Sequence, residues 1–286
     1  MPLYRAFGLT IDSELSLPEL ASAEAGPVNV TIHWEEGAAP SEQCLGGGFH
    51  FRPDGIAFHV RNGAKIHVWS PPGIARADIS IWLLGTVMAA LLHQRGLLTL
   101  HANCLVAPDG RAIAIAGDSG SGKSSLAAAA ARAGWQVLGD DLCAIDPERL
   151  SVWPGVQRLK LWADSLERLG LDPQAYDRVA SDLDKFHVPM TGTAVGHQYR
   201  LDRLYLLANG NEFGVERLAG AAAADALFSE LYRFEVGQQV RDHPASQFEQ
   251  ALALTVRLPI WRFTRPWDAA RIDEGLARIA RHLAST

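Results

Sequence analysis

Two clusters in this 286-residue chain have residue types and spacing suited to phosphoryl chemistry. The first, Gly117-Asp118-Ser119-Gly120-Ser121-Gly122-Lys123-Ser124-Ser125, satisfies the pattern G-x-x-x-x-G-K-[ST]. Its glycines let the backbone curl until successive N–H groups point at phosphate oxygens, and a following helix adds its positive end. In such a loop Lys123 reaches the β- and γ-phosphates of ATP, and the Ser124 hydroxyl completes a Mg²⁺ shell. A glycine turn that binds nothing is the plain alternative. It is disfavoured by the conjunction of three glycines, a lysine, paired serines, an apolar strand before and a helix of small residues after.

The second cluster is Asp140-Asp141, set between Gln136-Val137-Leu138-Gly139 and the apolar run to Ile145. Adjacent carboxylates repel unless a cation or shared proton compensates, and Mg²⁺ is the natural compensation beside a phosphate loop. One aspartate can hold the metal while the other accepts the proton of an attacking hydroxyl. A solvated turn is the competing reading.

His101 follows Leu97–Leu100 on a strand expected beside the one that feeds the loop, where it could orient an aspartate or touch the γ-phosphate. A lone strand histidine is more often a core residue. The other nine histidines show no HExxH or comparable metal spacing, so zinc is not expected. Arg158 and Lys160 alternate on an expected strand and would share a face, spaced to meet phosphates or an acidic peptide terminus, unless they merely edge a solvated strand. Lys185 and Arg200 are weaker candidates of the same kind, each read more readily as a surface residue. Trp135, Trp153 and Trp162 read as core, which leaves the nucleobase pocket unassigned.

The elements that must position these residues follow from patterning. Residues 3–70 alternate short β-favouring runs with turns: Val28–Trp34, Phe49–Phe51, Ile56–Val60 and Ile66–Trp69, with Asn62-Gly63 favouring a tight hairpin. The pattern predicts an antiparallel sheet, then a mostly buried helix over Asp78–Gln94. Strand Leu97–Val106, strand Arg111–Ala116, the loop, helix Lys123–Arg132 and strand Gln136–Leu138 give an α/β nucleotide-fold signature. Further on, strands are expected at Val156–Leu161 and Leu201–Ala208. Helices are expected at Ala163–Leu169, Ala221–Tyr232, Ser246–Val256 and Asp268–Leu283, the last with Ile272, Leu276, Ile279 and Leu283 at helical spacing.

Composition removes several function classes. Lys plus Arg number 26 against 32 Asp plus Glu, a formal charge of -6, the wrong sign for a broad nucleic-acid-binding face. Three scattered cysteines support neither a disulfide framework nor a CxxC site, which suits a reduced, cytoplasmic protein. The start lacks a signal-peptide core, and the longest apolar stretch, Ile79–Leu92, is short of the roughly 20 residues that span a bilayer. Neither secretion nor membrane association is expected.

Taken in order, His101, the Gly117–Ser125 loop and Leu138-Gly139-Asp140-Asp141 resemble the HPr kinase/phosphorylase family, most strongly over residues 97–146. The resemblance implies a P-loop α/β core, with Asp140 as catalytic base, His101 supporting it, and Asp141 with Ser124 on the metal side. The family's downstream glutamate signature has no counterpart in Pro154–Trp162, which argues against phosphorylase activity and against HPr as substrate. Tyr4-Arg5-Ala6-Phe7-Gly8, Leu92-His93-Gln94-Arg95-Gly96 and the Pro154-Gly155 to Leu159-Lys160-Leu161-Trp162 segment look instead like the HPr-kinase homologues of lasso-peptide clusters. That likeness implies Mg-ATP-dependent phosphorylation of a precursor peptide at a serine near its C-terminus. Arg158 and Lys160 are the acceptor contacts that the alternation offers, and the HPr-kinase family's tendency to oligomerise allows a homo-oligomer. The expected architecture is α/β: a small β-rich domain over 1–75 and an HPr-kinase-like P-loop kinase domain over 76–286. A small-molecule kinase and a non-catalytic ATP-binding regulator share the nucleotide site, but Asp140 and His101 favour chemistry over a switch.

Overall fold

A computed structural model describes residues 2–180, 182–190, 196–241, 243 and 245–285. The chain is mixed α/β with several sheets. In the N-terminal part, β1 (Leu3–Ala6), β2 (Leu9–Ser13), β3 (Ala21–Ser22), β4 (Val30–Glu36), β5 (Phe49–Phe51), β6 (Ala57–Arg61) and β7 (Lys65–Ser70) form one sheet in the order β3-β1-β2-β4-β7-β6-β5. A four-residue helix, α1 (Glu42–Leu45), interrupts the β4–β5 connection. The β6–β7 hairpin turns at Asn62 and Gly63, both at positive φ (54° and 59°), as the Asn-Gly pair predicts.

The expectation of an antiparallel sheet is corrected here: β4 lies parallel to both β2 and β7. Alternation of apolar residues fixes which face is buried, as with Val30 and Ile32 on β4, but says nothing about strand direction. The long connections on either side of β4 leave room for crossovers that a short hairpin does not.

One helical run follows: α2 (Arg76–Trp82), a π-turn over Leu83–Val87, and α3 (Met88–Gln94). It is 19 residues long and apolar enough to cross a membrane by length and composition, yet 72% of the apolar window is buried inside the fold. Ile79, Leu83, Val87, Met88 and Leu91 join the apolar cluster built by the N-terminal sheet, at about 1.5–3 kcal/mol per fully buried side chain. That cluster continues across residue 75, where the domain boundary is expected.

The second core is built on β8 (Leu98–Leu100), β9 (Ala102–Val106), β10 (Ala112–Ala116), β11 (Gln136–Gly139), β12 (Cys143–Asp146) and β13 (Ser151–Val152), then β16 (Tyr199–Asn209), β17 (Gly214–Leu218) and β18 (Ile260–Arg265). Strands β14 (Arg158–Trp162) and β15 (Lys185–Pro189) form a separate antiparallel pair. The helices are α4 (Lys123–Arg132), α5 (Ala163–Arg168), α6 (Gly220–Ser229), α7 (Phe234–Val240), α8 (Ala245–Arg257) and α9 (Ile272–Ala284). Alanines 127–130 let α4 sit close to the sheet, in one apolar cluster with Leu276, Ile279 and Leu283 of α9. Strands β10, β16 and β18 run parallel, so Ala116, Asn209 and Arg265 all end at one edge. Ligand sites of parallel sheets form outside that carboxyl edge.

Two expected elements are shorter than their patterns. The strand through Leu97–Val106 breaks at His101, because β8 pairs with β12 whereas β9 pairs with β10 and β11. The alanine-rich helix stops at Ser229. Residues 230–232 instead run beside 99–101, with His101 N–H donating to the Glu230 carbonyl at 2.8 Å and Tyr232 N–H to that of Thr99 at 2.9 Å.

Candidate functional site

The phosphate loop joins β10 to α4. Gly117, Gly120 and Gly122 adopt φ of 137°, 82° and 88°, which L side chains avoid, and no side chain caps the first turn of α4. Its first N–H groups therefore point outward without intrahelical partners, a preformed anion cradle. Lys123 is buried and donates to the carbonyls of Gly117 (2.5 Å) and Asp118 (3.1 Å). Burial pushes its pKa down, against the pull of Asp141, Glu230 and Asp140.

Asp140 and Asp141 leave the end of β11 in different directions. Asp140 is buried; its Oδ1 accepts from the Ser124 hydroxyl at 3.0 Å and its Oδ2 from the Lys160 N–H at 2.7 Å. Burial, reinforced by the charge of Asp141, pushes its carboxyl up to about 6. Asp141 takes φ of 64°, a left-handed conformation costing on the order of 1 kcal/mol outside glycine. This turn aims its carboxylate at the cleft, 3.2 Å from Lys160 Nζ and 3.6 Å from His101 Nε2. Burial alone would raise the Asp141 carboxyl, but Lys160, His101 and Lys185 overcome it and hold it well below the usual range.

A cleft of about 560 Å³ opens onto the loop and Asp141. Ser119 to Ser125 without Ser121 form its phosphate-loop wall, and His101, Asp141 and Lys160 form its polar corner. Asp140 does not line the cleft; it lines a much smaller cavity behind, with Glu19, His187 and Tyr232. Ser124 is thus paired with Asp140, whereas the sequence reading grouped it with Asp141. The Ser124–Asp140 oxygen pair suits Mg²⁺, which takes one or two carboxylates together with hydroxyl and phosphate oxygens. The raised Asp140 carboxyl is the mark of a buried negative charge that a cation would neutralise. Among the described residues there is no cluster of three or more His, Cys, Asp or Glu arranged to hold a metal by themselves.

Several assignments change. Arg158 and Lys160 do alternate on β14, but only Lys160 reaches the aspartates; Arg158 donates to the Pro18 carbonyl on the N-terminal part. Lys185, a weaker candidate read more readily as surface, lines the cleft with its ammonium 5.7 Å from the Trp162 ring. Trp162, read as core, is 49% exposed in the same wall, because it ends β14 on the solvent side. Trp135 is buried, Trp153 packs against Gly8, and Arg200 is exposed.

Residues that carried no sequence motif complete the site. Glu230 is 7% exposed; its main chain accepts from the His101 N–H, and burial raises its carboxyl pKa against the pull of the Gly117 amide and Lys123. Arg265, at the end of β18, donates to the Ser121 carbonyl at 2.7 Å. Trp267, 61% exposed, extends the cleft wall beyond it. The sequence reading has no strand here; the alternating run Ile260-Trp261-Arg262-Phe263-Thr264 is the signal it missed. No pattern pointed to Glu230, whose role depends on the chain leaving a helix.

No family model matches the chain, and no curated protein is similar to it in sequence. Among solved structures it is similar to the Hpr(Ser) kinase/phosphatase from Coxiella burnetii, at 14% identity and a TM-score of 0.34, over 66% of this chain and 99% of that one. The superposition is loose, and the chemistry of the site rests on this chain's own residues.

Proposed function

We propose that the protein is a Mg-ATP-dependent phosphotransferase that moves the γ-phosphoryl group to a serine hydroxyl of a peptide, near the peptide's C-terminus. The observation that carries the reading is the meeting, in one cleft, of the phosphate loop with a carboxylate held by a histidine and a lysine. Binding phosphate alone would not need that carboxylate.

In this reading Lys123 and the loop amides hold the phosphates, and the exposed rings of Trp162 and Trp267 face the base. Ser124 and Asp140 would hold Mg²⁺, which spreads the charge of the phosphates. Asp141 takes the proton of the acceptor hydroxyl as its oxygen bonds to the γ-phosphorus and the bond to the β-phosphate oxygen breaks, leaving ADP. His101 and Lys160 orient Asp141. The geometry favours this division of labour over Asp140 as base, because Asp140 is turned away from the cleft and toward Ser124.

The peptide acceptor is supported by the N-terminal part, which a phosphate-loop core does not need and which reaches the cavity behind the aspartate pair through Glu19. Lys185, in the cleft wall, is placed to meet an acidic terminus, the role first given to Arg158 and Lys160. Incubating the protein with Mg-ATP and either a peptide ending near a serine, free serine or glycerol tests this by mass spectrometry. Phosphate on the peptide serine is expected. Efficient phosphorylation of the small alcohols with an unmodified peptide would replace it with a small-molecule kinase.

A further inference from the structure

Arg265 is 4% exposed and lines the cleft beside Gly122, Lys123 and Ser124. A guanidinium carries five N–H donors in a rigid fork and is always charged. Here Nη2 donates to the Ser121 carbonyl at 2.7 Å, while the buried Nε has no hydrogen-bond partner. No carboxylate forms an ion pair with Arg265 among the described residues, in contrast to the equally buried Arg203, which pairs with Asp202 at 2.6 Å. A buried cation without an anion is costly, by several kcal/mol in general. Burial accordingly pushes the Arg265 pKa down.

Its position is set by topology. Strand β18 runs parallel to β16, itself parallel to the β10 strand that enters the phosphate loop, so the end of β18 is delivered to the loop's flank. The approach is close enough to dictate sequence: a Cβ at Gly122 would run into Arg265 Nη2. Gly122 therefore serves two demands, its left-handed backbone and the passage of a guanidinium. The Arg265 guanidinium also lies 5.5 Å from the ring of Trp267, which keeps the side chain on the cleft wall.

We propose that Arg265 is a second cation for the phosphates of the bound nucleotide, supplied in cis from the end of β18 and facing the Lys123 side of the loop. The inference rests on the nucleotide-site reading above and adds to it the residue that receives phosphate charge from outside the loop motif. A planar, multi-donor cation suits phosphate oxygens, and one placed over the transferring group stabilises the charge that accumulates there.

The test is the affinity of the intact protein for ATP, ADP and adenosine with Mg²⁺ present, compared among the parent, Arg265→Gln and Arg265→Lys, with Lys123→Ala as a loop control. Arg265→Gln is expected to weaken ATP and ADP roughly ten- to a hundredfold, the scale of a hydrogen bond to a charged group, and to leave adenosine unchanged. Arg265→Lys, which keeps charge but loses the fork, is expected to fall between. It carries the test if Arg265→Gln does not fold. A merely structural brace would weaken all three ligands alike, and that result, or unaltered ATP and ADP affinities, overturns the proposal while leaving the nucleotide site standing if Lys123→Ala still loses ATP. A parent that binds no ATP overturns the nucleotide-site reading itself.

Discussion

The Ser124 hydroxyl donates to Asp140 Oδ1 at 3.0 Å, a bond that links the first turn of α4 to the end of β11 and turns Asp140 away from the cleft. The two adjacent aspartates are thereby separated in place. Asp140 is turned to the loop serine, and Asp141 to the open cleft. In the proposed reading the first is on the cation side. Asp140→Asn is therefore expected to weaken Mg-ATP binding tenfold or more, on the order of 1.5–3 kcal/mol for a lost charged contact, while ATP binding without Mg²⁺ changes little. Titrations of nucleotide with and without Mg²⁺ check this; an equal effect in both would remove Asp140 from the cation site.

Lys160 serves both aspartates, through its N–H to Asp140 and its ammonium to Asp141. The ammonium is one of the charges that keep the Asp141 carboxyl low, so Lys160→Met should raise that pKa. If Asp141 must be ionised to act, the acid limb of the pH–rate profile moves to higher pH in the variant. A limb that stays in place would show that the ionisation of Asp141 does not govern the rate.

Glu230 ties two parts of the site together: its carbonyl accepts the His101 N–H, and its buried carboxyl feels the Gly117 amide and Lys123. Glutamine keeps the shape and polarity of the side chain, whereas alanine loses both. Glu230→Ala should lower kcat about tenfold, on the scale of one lost buried polar contact, and Glu230→Gln should restore most of it. Equal losses in both would mean that the negative charge, rather than the shape, matters.

His93 gives a pH dependence of stability. It is buried beneath Tyr232, facing the Thr99 hydroxyl at 3.0 Å, and burial with the charge of Arg241 pushes its pKa down to about 4, below the ordinary 6.5. The unfolded chain then binds a proton that the folded chain refuses. The stabilisation from neutral His93 is full above pH 6.5 and is lost as pH falls through 4, to the extent of on the order of 3 kcal/mol. Urea unfolding of the parent and His93→Gln at pH 7.5 and 4.5 should show a smaller pH effect in the variant; identical pH effects would contradict the assignment.

Much of this arrangement was legible in the sequence, for definite reasons. The loop and α4 are specified locally, by glycines at positive φ and an unbroken run of alanines, the best helix formers, so Lys123–Arg132 is helical as the pattern predicts. The aspartate pair was legible as chemistry but not as geometry. Which carboxylate meets Ser124 is decided by the left-handed turn at Asp141 and by β14, a strand from elsewhere in the chain. Direction in the N-terminal sheet was hidden because alternation encodes faces alone. Arg265 and Glu230 were hidden because their roles arise from long-range packing, the parallel placement of β18 and the bridge between residues 230–232 and 99–101.

Single-turnover transfer of the γ-phosphoryl group from Mg-ATP to a serine peptide, measured in the parent and in Asp141→Asn beside the nucleotide affinity of each, tests the account most directly. The expected result is transfer by the parent and a loss of roughly two or more orders of magnitude in Asp141→Asn, the scale of removing a general base, with nucleotide affinity within a small factor. Unchanged transfer in Asp141→Asn, or tight nucleotide binding by the parent with no transfer to any hydroxyl, would contradict it.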